Sequence, residues 1–130
     1  MLSTIIGYAN PVWGAGPVTP STTTPDYVSL KNVAKLAVVI QVLNGSTVTG
    51  SAITLKQASA VAGTSEKALS FTEVWQNVDC GAADGFAKTA VASNTFTTNT
   101  TNSKALIYVI EVDPASLDTN NAFDCVRAGT

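Results

Sequence analysis

Carboxylates are the side chains of this 130-residue chain whose spacing best suits chemistry. Glu111 and Asp113 stand two positions apart in the segment EVDPASLD, and Asp118 ends it. Residues two apart on a strand share a face, so this pair has a geometry suited to acid/base catalysis or to calcium ligation. The simpler interpretation is structural: Asp113 before Pro114 is typical of a helix N-cap, and the other acids belong to a turn. We favour the structural interpretation.

The remaining catalytic and ligand-binding patterns are weak or absent. The chain contains no histidine, which excludes Ser-His-Asp and Cys-His arrangements and histidine metal sites within it. Asp79 and Asp84 resemble a calcium loop only faintly, because their spacing does not fit the EF-hand pattern. Neither GxxxxGK[ST] nor GxGxxG occurs. We therefore expect no catalytic residue, no metal, no cofactor and no enzymatic activity.

Two cysteines, and two of the lysines, are the other side chains that we considered for a chemical role. Cys80 and Cys125 are too few for a zinc site or a disulfide framework, so we interpret them as buried or half-buried thiols. A disulfide between them is the open alternative. Lys56 and Lys67 lie in AITLKQASAVAGTSEKALSF, where we interpret them as lysines that protect sheet edges. This stretch is predicted to be scaffold.

Composition restricts the class of protein. Apolar residues make up 45% of the chain and charged residues only 12%, which indicates a folded domain with few charges on its surface. A formal net charge of −2 with scattered basic residues disfavours nucleic-acid binding. The longest apolar run, LAVVIQVL, is much shorter than the roughly 20 residues of a membrane-spanning helix. We expect a soluble cytoplasmic product, or part of a particle assembled in the cytoplasm.

Two regions follow from the distribution of proline and glycine. Residues 1–26 are rich in Gly, Pro and Thr, which excludes helix and regular strand pairing over most of their length. Tyr8 and Trp13 are large apolar anchors, so we predict an extended arm that lies on a neighbouring subunit and reaches roughly 80 Å at about 3.3 Å per residue. A solvated tail is the alternative. The expected contact residues are Tyr8, Pro11, Trp13, Pro17, Pro20 and Pro25.

Residues 27–130 are predicted to be a β domain. LAVVIQVL alternates, with Leu36, Val38, Ile40 and Val42 on one face, and a helix over this region is the weaker alternative. The following Asn-Gly predicts a turn that uses positive φ.

Further strands are predicted downstream, with turns between them. Leu69, Phe71 and Trp75 are predicted to face inward, with a bulge near Thr72. KTAV and NTFTTN are predicted to be edge strands. KALIYVIEVD is predicted to be a central strand covered on both faces, and AFDCVRA the last strand. The fold class is therefore all-β, an antiparallel β-sandwich or small barrel of about 7–8 short strands.

Four segments carry a resemblance to a known family. VSLKNVAKLAVVIQV, ITLKQASAVAGTSEKALSF, YVIEVDPASLD and FDCVRA are similar to a family of small tailed-bacteriophage structural proteins, which are described as minor capsid, cement or decoration proteins. The resemblance covers most of residues 26–128. It implies a virion protein on the capsid surface that binds the major capsid protein, bridges adjacent capsomers and forms a homo-oligomer, a dimer or a trimer.

Two other classes remain open from the sequence. A tail or head–tail connector component of a virion has a similar composition. A surface- or carbohydrate-binding sandwich requires exposed aromatic side chains, for which Trp75, Tyr108 and Phe123 are the candidates. The neighbours of all three predict core positions instead. No membrane partner is expected.

Overall fold

The computed structural model describes residues 24–130. Pro25 is the one predicted arm contact in this range, and Tyr8, Pro11, Trp13, Pro17 and Pro20 lie outside the described residues. The described chain forms nine strands: β1 Val28–Ser29, β2 Leu36–Leu43, β3 Ala52–Ala58, β4 Lys67–Ala68, β5 Phe71–Asn77, β6 Ala87–Ser93, β7 Thr95–Thr97, β8 Ala105–Val112 and β9 Cys125–Gly129. Short 3-10 helices at Pro114–Ser116 and Thr119–Asn121 separate β8 from β9.

The strands form two antiparallel sheets that pack as a β-sandwich. One sheet has the order β1-β9-β3-β4, and β7 pairs with β3 as well. The other sheet has the order β2-β8-β5-β6. All pairings among the described strands are antiparallel, and neither sheet closes on itself. The predicted fold class is confirmed as a sandwich rather than a barrel, with nine described strands where the sequence indicated about 7–8.

Strand β2 confirms the alternating pattern of its sequence. Alternate residues of this strand differ in exposure. The half-buried residues are Leu36, Val38, Ile40 and Val42, and the exposed residues are Ala37, Val39, Gln41 and Leu43. Because β-branched residues fit this pleated surface, the helical alternative is wrong. The turn after β2 differs from the prediction, since Gly45 does not take positive φ. Gly50 does, with φ 79°, and a Cβ there would lie 2.9 Å from the Thr98 carbonyl oxygen.

A bulge in β5 explains one correct and one wrong prediction. The register shifts between Phe71 and Glu73, as the sequence indicated. The extra residue reverses the parity of the strand, so Val74 is buried and Trp75 points to the outer side of the sheet. The prediction that Trp75 faces the core is therefore wrong.

Strand β8 is central, between β2 and β5, but only one of its faces is buried. Its buried residues are Leu106, Tyr108, Ile110 and Val112. On the other face Ile107 and Val109 are half-buried, and Glu111 is exposed. The predicted cover on both faces is wrong for the described residues, because no second layer packs on that side. The predicted edge strands are confirmed: β6 and β7 are both at sheet edges.

Leu55 connects two of the six places where the described chain passes from one sheet to the other. The chain leaves β4 for β5 through Leu69, and leaves β6 for β7 through Asn94. The Leu55 N–H donates to the Asn94 carbonyl at 2.8 Å, and the Leu55 carbonyl accepts from the Leu69 N–H at 3.1 Å. Asn94 Nδ2 also donates to the Leu55 carbonyl, at 3.2 Å. The Leu55 side chain is 0% exposed, so one residue fixes both crossovers and fills the core.

Replacing Leu55 by alanine is expected to destabilise the domain strongly. The change leaves a cavity at the point where both crossovers meet, which costs about 2–5 kcal/mol in free energy of unfolding. The matched control is Val61→Ala, because Val61 is 61% exposed and its truncation should change stability by no more than about 0.5 kcal/mol. Urea unfolding followed by circular dichroism measures both. Equal effects of the two substitutions would contradict this account of the core.

Candidate interaction surface

The outward side of the four-stranded sheet carries apolar side chains that no other described element covers. We call it the outer face; its residues are Ala37, Val39, Gln41, Leu43, Trp75, Ala105, Ile107, Val109 and Glu111. The register places Val39 beside Val109, and Val109 beside Trp75. An apolar row therefore crosses three adjacent strands, which is typical of a surface that contacts another molecule.

Exposure is concentrated on β2 and the turn before it. Five large apolar side chains are exposed among the described residues: Val33, Val39, Leu43, Val61 and Phe86. Three of the five lie on β2 or its preceding turn, and Leu43 is 82% exposed. The sequence contained this signal, because β2 is apolar on both faces and has no charged residue. The predicted alternation of β2 did not identify its second face as a contact surface.

The outer face ends at a charged pair on the β6 side. Lys88 Nζ lies 2.9 Å from Glu73 Oε2 and 4.9 Å from the centre of the Trp75 ring. A lysine over the ring occupies the position that a stacked sugar would need. Of the three aromatic candidates for carbohydrate binding, Tyr108 and Phe123 are buried, as predicted.

Pro25 lies in a cleft of about 430 Å³ on the outward side of the other sheet, at the point where residues 1–23 join the described chain. The cleft is lined by Thr24, Pro25, Asp26, Tyr27, Val61, Ala62, Gly63, Glu66 and Arg127. Pro25 packs against the backbone of β9, since a Cβ at Gly129 would lie 3.5 Å from Pro25 Cδ. The described part of the arm is therefore held against the sandwich.

Glu66 is the centre of a polar cluster in this cleft. Tyr27 Oη donates to Glu66 Oε2 at 2.8 Å, Lys56 Nζ donates to Oε1 at 2.5 Å, and Arg127 donates to Oε2 at 3.0 Å. The hydrogen bonds from Lys56 and Tyr27 lower the pKa of Glu66. Burial, and then the hydrogen bond to Glu66, raise the pKa of Tyr27 to about 12. The carboxylate is fully occupied by donors, so the cluster holds the base of the arm and offers no free acid or base.

This cluster was not predicted. Lys56 lies ten positions before its partner Glu66, and Arg127 lies 61 positions after it. No local pattern in the sequence connects the three residues. The edge role predicted for Lys56 is wrong, because β3 is flanked on both sides; Lys67, on the short edge strand β4, pairs with Asp118. Both lysines are nonetheless part of the scaffold.

The carboxylates that could have formed a catalytic or calcium site are dispersed. Asp113 caps the 3-10 helix Pro114–Ser116, accepting from the Ala115 N–H at 2.9 Å, as predicted. Asp118 accepts from Lys67 and Asn121. Asp79 pairs with Lys104 at 2.5 Å. Within residues 24–130, no three His, Cys, Asp or Glu side chains are grouped so that they could hold a metal ion.

Cys80 and Cys125 are free thiols in the structure. Cys80 is half-buried in the loop after β5, and Cys125 is buried at the start of β9. Burial, and then the hydrogen bond from its thiol to Asp124, raise the pKa of Cys125 to about 11. A thiol is nucleophilic only as thiolate, so Cys125 is inert at neutral pH.

Comparisons of the chain with protein-family models, with curated proteins and with solved structures found no match. Residues 24–130 contain no helix with the length and apolar character needed to cross a lipid bilayer. The observations that bear on function are therefore the surface and the contacts of the chain itself.

Acid is expected to release the Glu66 cluster. Because the folded-state pKa of Glu66 lies below its ordinary value of 4.5, its stabilising effect is complete above that pH and is lost as the pH falls through the folded-state value. Glu66→Gln should therefore lower the melting temperature at neutral pH, and the difference from the unmodified protein should shrink in acid. Thermal denaturation across pH 2 to 7 checks this. Glu111→Gln, on an exposed strand position, is the control; a difference for Glu66→Gln that does not change with pH would contradict the expectation.

Thiol labelling should distinguish the two cysteines. A disulfide-exchange reagent at neutral pH is expected to modify Cys80 in the folded protein and Cys125 only after unfolding, because Cys125 is 2% exposed and remains protonated. Cys80→Ser should abolish the reaction of the folded protein. Two results would contradict this description of the cysteines. Both thiols could react before unfolding, or neither thiol could react in denaturant without reductant.

Proposed function

We propose that this protein is a virion structural protein, a capsid cement or decoration protein that binds the outer shell of a tailed bacteriophage and bridges adjacent capsomers. The observation that carries the proposal is the uncovered outer face with its long, uncharged strand β2. An apolar sheet surface of this kind is a contact surface. The resemblance of four sequence segments to small phage structural proteins supports the same role.

The contacts of the described residues agree with a mechanical role. Five of the nine acids form a cap or an ion pair: Glu66, Glu73, Asp79, Asp113 and Asp118. Glu66 holds the base of the arm against β3 and β9. A protein that reinforces a shell requires a stiff body and surfaces that adhere to neighbours. Each contact can be weak, because many copies on a symmetric shell bind together through multivalency.

The arm supplies the second proposed contact. Tyr8, Pro11, Trp13, Pro17, Pro20 and Pro25 are the residues proposed to touch the major capsid protein. The cleft that holds Pro25 fixes where the arm leaves the sandwich. An anchored base lets an extended segment reach across a subunit boundary without moving the body that it reinforces.

Binding to shells tests the proposal. Purified full-length protein is added to shells of the encoding phage from which the native copies have been removed, and the bound fraction is measured by co-sedimentation. Saturable binding at a fixed ratio to the major capsid protein is expected. Replacing Tyr8 and Trp13 by alanine should weaken it at least about tenfold, since buried aromatic anchors dominate protein interfaces. The control replaces Thr22 and Thr23 by alanine.

No binding of the unmodified protein to shells, with the native protein found in the tail fraction of virions, would overturn the capsid assignment in favour of a tail or connector component. Binding that is unaffected by the aromatic substitutions would leave shell binding intact and remove the arm from the contact.

A further inference from the structure

We infer that the free edge of β2 accepts residues 2–8 of a second copy of this chain as an added β-strand. This joins copies of the protein to one another, and so goes beyond binding to the shell. The site consists of the edge of Leu36–Leu43 opposite β8, with which no other described strand pairs, together with the apolar side chains on both faces of β2.

Strand β2 differs from the other sheet edges among the described residues. β1 and β4 are two residues long, and β7 is three residues long. β6 carries Lys88 and pairs with β5 across the bulge. Short length, lysine and bulges are the devices by which proteins prevent edges from pairing with other chains. β2 has eight residues and no charge, proline or glycine, so it has none of these devices.

The core beneath β2 is also incompletely covered. The neighbouring strand β8 has four inward residues that are all buried: Leu106, Tyr108, Ile110 and Val112. Strand β2 has four inward residues that are only half-buried: Leu36, Val38, Ile40 and Val42. The chain enters β2 from β1, and β1 has only two residues with which to border this side of the sandwich. A further strand with apolar side chains beside β2 would complete the cover.

Residues 2–8, LSTIIGY, have the composition that this position requires. They contain β-branched and aromatic side chains and no proline, and their seven residues nearly match the eight of β2. Leu2, Ile6 and Tyr8 share one strand parity and can face the half-buried side of β2. Residues 1–23 contain no charged side chain, as β2 contains none, so an apolar segment meets an apolar edge.

The connection is long enough for the occupant to come from a neighbouring copy. Residues 9–23 include Pro11, Pro17 and Pro20, which favour an extended spacer of about 45 Å at about 3.1 Å per residue. Strand β2 is about 26 Å long at about 3.3 Å per residue. The spacer begins at the cleft that Pro25 lines, and its length is sufficient to bring residues 2–8 past the edge of the sandwich to the β2 edge of a neighbouring copy.

Association of the purified full-length protein, without shells, tests the inference. Ile6→Lys places a charge in the added strand, and Val39→Lys places one on the receiving edge, at a side chain that is 60% exposed and can change without loss of the core. Each is expected to lower the self-association constant at least about tenfold in sedimentation equilibrium, because lysine opposes edge pairing. The matched controls, Thr22→Lys and Phe86→Lys, add the same charge elsewhere, the latter at a side chain that is 47% exposed, and should leave it unchanged.

Mixing the two impaired variants identifies the copy that donates the strand. The Val39→Lys copy keeps an intact residue 2–8 segment and the Ile6→Lys copy keeps an intact β2 edge, so a mixture should associate more strongly than either variant alone. Amide hydrogen exchange should slow in Leu36–Leu43 as the concentration of the unmodified protein rises, and should not slow in Ala87–Ser93.

Three results would overturn the inference. The full-length protein could remain monomeric at all concentrations, the mixture could fail to recover association, or protection of β2 could be independent of concentration, which would mean that each chain covers its own edge. None of these results bears on binding to shells, so the proposed function stands or falls separately.

Discussion

The backbone of Leu55 holds two of the points at which the chain passes between the sheets, from β4 to β5 and from β6 to β7. These crossovers close the side of the sandwich formed by β4, β5, β6 and β7. On the opposite side of the described sandwich the chain passes from β1 to β2, where the two residues of β1 face the eight of β2. Within residues 24–130, one side is therefore locked by hydrogen bonds to a buried residue, while the other has an edge strand and an apolar face without cover. This asymmetry is the reason why the proposed contact surface is on β2.

Features set by neighbouring residues could be predicted from the sequence. The alternation of β2, the bulge near Thr72 and the cap at Asp113 depend on local periodicity and on local hydrogen bonds. Features set by distant residues could not be predicted from the sequence. Trp75 faces outward because the bulge reverses its parity, and β8 lacks a second cover because no other layer packs on it. The partners of Glu66 come from three separate strands or segments, which no spacing rule connects.

The sequence indicates the candidate surface only in part. The run LAVVIQVL is apolar at successive positions, which predicts either a strand buried on both faces or one with an apolar face in contact with another molecule. The exposure of Val39 and Leu43 shows that no described layer covers the second face of β2. The 12% charged fraction agrees with the proposed role, because a protein whose surfaces are covered after assembly has little need of charges.

A cryo-electron microscopy reconstruction of the particle tests the central claim, that the β2 side of the sandwich is the contact surface of an assembled structural protein. The account predicts that the sandwich lies on the particle with a foreign strand beside Leu36–Leu43 and with Val39 and Leu43 covered by neighbouring density. A reconstruction in which the β2 edge and the outer face point to solvent in every copy would contradict it.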